Sequence, residues 1–352
     1  MANDKIEYTT VEQQIEKLKQ QNLIISDEEF AKDMLTLCGY SNLIKSYREP
    51  YVVITNGKKI YRSGVTFDQI YSLYSFDKNL RNAVMAAMLD LEEHIKEAAA
   101  DTIAQSFGVH QDDYLKYSNY QNRRKRKERF SLPNILDILK NTLDTGKNPI
   151  YHYKTEHGIV PPWILFKSVF FTTIVNFIDL FKSREQEMMV KRLYNSELSL
   201  SIDSLKKLMM DTLFICIEYR NAAAHGGRIY NYVCKSTLRS NEIFGHQVQG
   251  NIGGFSQLLF LLNLFKYLRP YNYLSHILEV QVSKHCSCFP QDITYLGQVL
   301  NMNIIPKDTV FVSEKSHKYH KNPNCSGIQN VREMPLNDAN EAGYLPCKRC
   351  CR

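Results

Sequence analysis

The stretch Glu218-Tyr219-Arg220-Asn221-Ala222-Ala223-Ala224-His225-Gly226-Gly227-Arg228-Ile229-Tyr230-Asn231 is the most informative in this 352-residue chain. An apolar helix predicted from about Ser201 to Ala224 ends there in a polar cluster padded with alanine. Gly226-Gly227 stops it, because glycine adopts the left-handed conformation that closes helices. Asn221 and His225 are four apart and share a face. Arg220 sits roughly 140° from His225 around a helix of about 3.6 residues per turn. Its long side chain, or loosening ahead of the glycines, can bring it round. The three alanines keep the surface low, so a second backbone or a substrate can approach closely.

These residue types suit metal-independent cleavage of RNA. The 2′-OH of RNA is a built-in nucleophile, and a histidine can take or return its proton. Arg220 can brace the phosphate through two parallel hydrogen bonds as charge builds on it, while Asn221 orients either partner. The expected products are a 2′,3′-cyclic phosphate and a 5′-hydroxyl. No carboxylate pair suited to two Mg²⁺ ions lies nearby. The plainer reading of the same residues is a helix end with ordinary polar caps.

Working outward, helical periodicity dominates to about residue 300. Thr66-Phe67-Asp68-Gln69 has capping-box spacing. Behind it Ile70, Leu73, Leu80, Val84, Leu91, Ile95 and Ile103 fall on one face of a helix of about 35 residues, which Gly108 ends. Thr10–Gln21 and Asp27–Cys38 read as shorter helices, and Tyr51–Tyr61 as a small hairpin around Asn56-Gly57. Pro161-Pro162 opens another apolar helix, and Phe255–Leu268 is a buried helix by composition. After about Asn303 the chain turns polar and rich in Lys, His and Cys, with a β-like Thr309–Val312. The expected organisation is a mostly α domain over residues 1–304 and a small α+β module over 305–352.

At 44% hydrophobic and 23% charged, the chain can bury a core. It is neither fibrous nor disordered in composition. Its N-terminus carries no apolar signal region. The densest apolar runs, Val169–Ile178 and Phe255–Phe265, are too short to span a bilayer. A cytoplasmic protein with no membrane partner is expected. The net charge is modest, 44 basic against 37 acidic residues, or +7. Its distribution matters more. Arg123, Arg124, Lys125, Arg126, Lys127 and Arg129 crowd one stretch flanked by Tyr117, Tyr120 and Phe130. This reads as an RNA-binding loop, in which cations displace counterions and rings stack on bases, or else as a solvated loop. Arg228, past the glycines, joins the same basic set.

Arg220-Asn221 and His225, followed by Arg228 and Tyr230-Asn231, resemble the signature of HEPN ribonucleases. In its fuller form the chain resembles the Abi family of abortive-infection proteins (the AbiD/AbiF-like group). Gly64–Arg81, Leu91–Lys96 and Pro161–Phe166 are similar to that family's N-terminal block, the helix after it and its central block. Many members carry a bulkier pair where this chain has Gly226-Gly227. The resemblance implies an all-α HEPN core and kinship with the HEPN nucleases of type VI CRISPR effectors. It implies catalytic roles for Arg220, Asn221 and His225, and a small non-coding RNA that restrains the enzyme. The expected function is an endoribonuclease toxin of an abortive-infection or toxin–antitoxin system. A non-catalytic RNA-binding or scaffold protein is the alternative. Nucleotidyl or methyl transfer finds no Gly-rich phosphate loop or acidic metal motif. One motif per chain predicts a homodimer, since an in-line reaction needs an acid and a base on opposite sides of the phosphorus.

Of nine cysteines, four follow residue 324. Clustered cysteines in a reducing compartment argue for metal before disulfide. His320-x4-Cys325 and Cys347-x2-Cys350 form two ligand pairs, expected to hold one structural Zn²⁺ in a tetrahedron. A segment this small needs such support. His317 and Cys351 are rival fourth ligands, and a loose basic tail is the plainer reading. Tyr319-His320, Cys325 and Tyr344-Leu345-Pro346-Cys347-Lys348-Arg349-Cys350 resemble the Ada-type metal-binding module, with His320 where that pattern has a cysteine. RNA or partner binding suits its basic residues better than methyl transfer. His285-Cys286-Ser287-Cys288 is a second possible metal pair but reads better as two buried thiols.

Overall fold

A computed structural model describes residues 8–351 except 124, 126, 199, 237, 239–253, 305–308, 314–315, 324, 326–327 and 329–330. Arg124, Arg126 and the expected boundary at 305 lie outside the described residues. The chain is mostly helical, with small sheets near its two ends. It forms two compact units, Met1–Leu80 with Ile277–Arg352, and Arg81–His276. The dividing points fall inside the helices Phe67–Phe107 and Arg269–Cys288.

In the first unit, Thr10 opens Val11–Gln20 with a complete capping box: its hydroxyl accepts from the Gln13 N–H and its own N–H donates to Gln13 Oε1. Asp27 caps Glu28–Cys38 by accepting from the Phe30 N–H at 2.9 Å. The hairpin forms as expected. Strand β1 (Val52–Thr55) pairs antiparallel with β2 (Lys58–Tyr61), and Asn56 and Gly57 both take positive φ, 52° and 75°. That is what a type I′ turn requires.

The capping box expected at Thr66 is only half made. The Thr66 hydroxyl accepts from the Gln69 N–H (3.1 Å), but the Gln69 amide donates to the Asp292 carboxylate (2.9 Å). Asp292 also accepts from the Tyr51 hydroxyl (2.7 Å) and pairs with His285 Nε2 (2.9 Å), whose Nδ1 meets Ser72 Oγ (2.8 Å). His285 therefore belongs to a buried polar network. Cys286 is buried but Cys288 is exposed, which corrects the expectation of two buried thiols. Residues two apart on a helix point roughly 200° from each other, so one face cannot cover both.

The C-terminal part of this unit is a four-stranded sheet ordered β5-β3-β4-β6, from β3 (Thr309–Ser313), β4 (Lys318–His320), β5 (Arg332–Pro335) and β6 (Leu345–Pro346). Only β4 and β6 are parallel. The helix Leu336–Glu341 packs on it, and the buried core is small: Val310, Val312 and Ala339, with Tyr319, Met334, Leu336 and Tyr344 around them.

The Phe67–Phe107 helix runs 41 residues, longer than expected, and Gly108 ends it at φ +87°. Every apolar position assigned to its inner face, from Ile70 to Ile103, is fully buried. The second unit gathers the rest of this helix with Leu132–Leu143, Phe171–Ile178, Ser183–Leu193, Ile202–Ala224 and Gly254–Asn263. The apolar run opened by Pro161-Pro162 makes two pieces. Pro162–Leu165 is followed by extended backbone at Val169 and Phe170, and only then by Phe171–Ile178. Gly254–Asn263 stops short of Leu268 because Phe265 forms a β-bridge with Tyr194, and the Lys266 N–H donates to Leu193 O (2.8 Å). Among the described residues no helix is long and apolar enough to cross a membrane.

Candidate active site and metal centre

The Ile202–Ala224 helix starts at Ser201, whose hydroxyl accepts from the Ser204 N–H (3.1 Å). It ends in a Schellman turn with His225 as the C-cap. Gly226, at φ +72°, donates to Ala223 O (3.2 Å), and Gly227 donates to Ala222 O (2.8 Å). Gly226 supplies the left-handed step that a side chain resists. At Gly227 the restriction is space, since a Cβ there would lie 3.0 Å from the Ala222 carbonyl oxygen. The reversal leaves His225 exposed. Arg81 braces it by donating from Nη1 to Gly226 O (3.1 Å), and the returning chain is anchored by fully buried Ile229 and Tyr230.

Arg220 is half-buried beside Asn221, with Nη1 3.4 Å from Asn221 Oδ1. Its Nε is buried and has no partner among the described residues. A buried N–H without an acceptor is unusual.

Phe214, Ile217, Glu218, Asn221, Ala222 and His225 form one stripe of the helix and line a cavity of about 770 Å³. Thr172, Asn176 and Asp179 line another wall, and Lys125, Lys127, Arg129 and Phe130 of the basic stretch a third. The fold thus brings the basic stretch to Asn221 and His225. Arg220, Arg228 and Arg123 are not among the lining residues. Asp179 forms ion pairs with both Arg123 and Lys125, and its carbonyl accepts from Arg123 (2.7 Å). Burial holds the Lys125 ammonium below the usual lysine range, against the opposing pull of Asp179. Lys127 and Arg129 are exposed, and the Arg129 guanidinium lies 4.7 Å over the Phe130 ring. Tyr120 is buried, its hydroxyl donating to the Tyr114 carbonyl, so it cannot stack on a base. A separate cavity of about 500 Å³ beside Lys116, Lys140 and Lys154 contains none of the expected catalytic residues.

Sequence reasoning missed Glu218. One carboxylate oxygen accepts from the Ser236 N–H (2.7 Å) and hydroxyl (2.5 Å), the other from the Lys235 N–H (2.7 Å) and, at 3.4 Å, the Tyr232 hydroxyl. It holds the segment after the turn as a cavity wall. Its position seven residues before His225, two turns up the same face, was the available signal. Asp179 offered none, being distant in sequence from both the basic stretch and the helix end.

A family model described as Abi-like protein matches residues 33–231, more than half of the chain. The chain belongs to the Abi-like protein family. The matched span contains the basic stretch, both cavity helices and the Arg220–His225 turn, and it relates this Abi-like protein to abortive infection. Comparisons with curated proteins and with solved structures gave no match.

The second cluster of the Abi-like protein lies outside the matched span. His320, Cys325, Cys347 and Cys350 bring one ligand atom each within 4.8 Å of all the others and could hold a metal ion. With metal–sulfur bonds of about 2.3 Å and metal–nitrogen bonds of about 2.0–2.1 Å, a zinc tetrahedron has S···S edges of about 3.8 Å and S···N edges of about 3.5 Å. Cys325 Sγ and Cys347 Sγ are 3.9 Å apart, and Cys350 Sγ and His320 Nδ1 are 3.5 Å apart. The N–H groups of Arg349 and Cys350 donate toward Cys347 and bring its thiol down to about 7, toward the thiolate that metals bind. The rival ligands stay outside. Cys351 Sγ donates to Tyr319 O (3.5 Å), and the His317 ring packs on Tyr344.

Proposed function

We propose that this Abi-like protein is a metal-independent endoribonuclease of an abortive-infection or toxin–antitoxin defence system, built on a HEPN-type core. The observation that carries the reading is the cavity in which Asn221 and His225 share walls with Lys127, Arg129 and Phe130. Cations fit the phosphates of a strand, and the exposed imidazole fits a proton-transfer role at a 2′-OH or a leaving 5′ oxygen. Arg220 keeps donors for the phosphate, and Asn221 Oδ1 steadies its guanidinium. These groups favour an enzyme over a bare RNA scaffold.

In this reading the active form is a homodimer. Two helix ends facing across a two-fold axis put one histidine on each side of the phosphorus, and the alanines and glycines at residues 222–227 permit close approach. A small non-coding RNA restrains the enzyme by occupying the basic surface. Zn²⁺ at the C-terminal cluster is structural and takes no part in catalysis.

The test is cleavage of single-stranded RNA by the purified protein in magnesium-free buffer, with end-group analysis. The expected products are 2′,3′-cyclic phosphate and 5′-hydroxyl ends. A strict requirement for Mg²⁺, or 3′-hydroxyl products, overturns the proposal. Binding without cleavage would favour the scaffold. Mixing active and inactive chains tests the composite site, and full activity of an isolated monomer rules it out.

A further inference from the structure

The turn that carries His225 is loose by composition. Gly226 and Gly227 follow the histidine directly, and glycine leaves the backbone freer than any other residue. Between Ala223 and Ile229, which are buried, no side chain is buried. Packing therefore does not fix the imidazole. The bonds that close the helix, from Gly226 to Ala223 O and from Gly227 to Ala222 O, tie the turn only to the residues just before it.

Arg81 supplies a tie from elsewhere, 145 residues earlier in the chain. It lies on the Phe67–Phe107 helix, where Ala83, Val84 and Ala87 are buried and hold the backbone around it in place. Its Nη1 donates to Gly226 O at 3.1 Å, which pins the peptide between the two glycines. Among the described residues, it is the one side chain from outside the turn that bonds to residues 224–227. A charged donor makes a stronger bond than a neutral one. The bond is exposed, so it adds little to stability; its effect is on where His225 stands.

We infer that Arg81 is a positioning residue of the RNA-cleaving site, holding the double-glycine turn so that the His225 imidazole meets the reacting oxygen. The inference rests on the ribonuclease reading and adds to it a residue that touches no substrate. Misplacing a reacting group by about 1 Å can cost about 10²-fold in rate. Strand binding by Lys127 and Arg129 does not pass through this bond.

The experiment compares the full-length parent, Arg81→Lys and Arg81→Met in cleavage of single-stranded RNA. Arg81→Met should lower kcat by about 10–10²-fold, with KM and Tm close to the parent's. Arg81→Lys, which still donates an N–H from a charged group, should restore most of the rate. In a His225→Ala chain, Arg81→Met should lower the residual rate no further, because residues that act as a unit are not additive. An unchanged kcat, a raised KM alone, or an Arg81 effect that persists without His225 overturns the inference. The His225 ring resonances, assigned by their loss in His225→Ala, give a readout that needs no cleavage. Arg81→Met should shift them and Arg81→Lys should not; unchanged resonances in Arg81→Met also overturn the inference. So does an Arg81→Met chain that fails to fold, since an exposed bond that only positions the turn is not needed for folding. The two readings fail separately. A protein that never cuts RNA, but whose His225 signal follows Arg81, keeps the tie and removes the nuclease. Cleavage indifferent to Arg81→Met does the reverse.

Discussion

Replacing Glu218 with glutamine should detach the segment that walls the cavity. The substitution keeps shape and volume and changes one oxygen into an amide nitrogen. Glu218 Oε1 receives two donors from Ser236 and Oε2 receives the Lys235 N–H. Whichever way the new amide turns, its NH₂ faces at least one backbone N–H, donor against donor. Hydrogen bonds to a charged acceptor contribute about 1.5–3 kcal/mol each, and since Lys235 is exposed and Ser236 only half-buried, a freed N–H there can turn to water. Losing one such bond and weakening the other should destabilise the Arg81–His276 unit by about 3 kcal/mol. For a unit near 200 residues that lowers Tm by about 6–12 °C. Thermal unfolding measures the loss, and proteolysis near residues 232–236 should show local opening below the main transition. Nuclease activity should fall with it, because Tyr232, Lys235 and Ser236 line the same cavity as His225. A Glu218→Gln protein with the parent's Tm and the parent's resistance to nicking would refute the reasoning.

Further consequences can be checked in the same preparation. Elemental analysis of protein purified without added metal should find one zinc per chain, and Cys347→Ser should remove it; absence of zinc, or its retention in the variant, rejects the cluster as a zinc site. Burial alone would raise the Asp292 pKa, but the bonds from His285, Tyr51 and Gln69 outweigh it and hold the carboxyl below its ordinary value. Its stabilising contribution is then full above the unfolded carboxylate pKa and is lost as pH falls through the folded value. Asp292→Asn should therefore flatten the acid side of a stability–pH curve, and an unchanged acid limb would contradict the network. RNA affinity should fall steeply with salt, and reversing Lys127 and Arg129 should reduce the log–log slope by at least about 1.4, at about 0.7 per lost contact on a single strand. An unchanged slope would remove the basic stretch from the interface.

The sequence made the local parts legible. Asn56-Gly57 fixed a hairpin, Gly108 and Gly226 fixed helix ends, and the spacing of Ile70 through Ile103 gave the buried face of the longest helix, because each depends on residues within a few turns. The His320/Cys325 and Cys347/Cys350 pairs were visible for the same reason: ligand spacing is a local quantity, although their convergence is not. What escaped notice was long-range. Gln69 fits a capping box by sequence, yet a buried carboxylate at Asp292 claims its amide. Tyr120 looks like a stacking ring beside the basic stretch but packs inward. The pairing of Arg123 and Lys125 with Asp179 depends on helix packing that no periodicity encodes. Glu218 lay inside the stretch first singled out and was passed over because its partners, Lys235 and Ser236, come after the turn.

The central claim is that His225 moves the proton in RNA cleavage. The most direct measurement compares RNA cleavage by purified parent and His225→Ala proteins, with matching Tm values to show that both are folded. Loss of a general acid–base should lower the rate by about 10²–10⁴-fold, and the variant should no longer inhibit growth when expressed. Cleavage by the folded His225→Ala protein at the parent's rate, with the same end groups, would contradict the account.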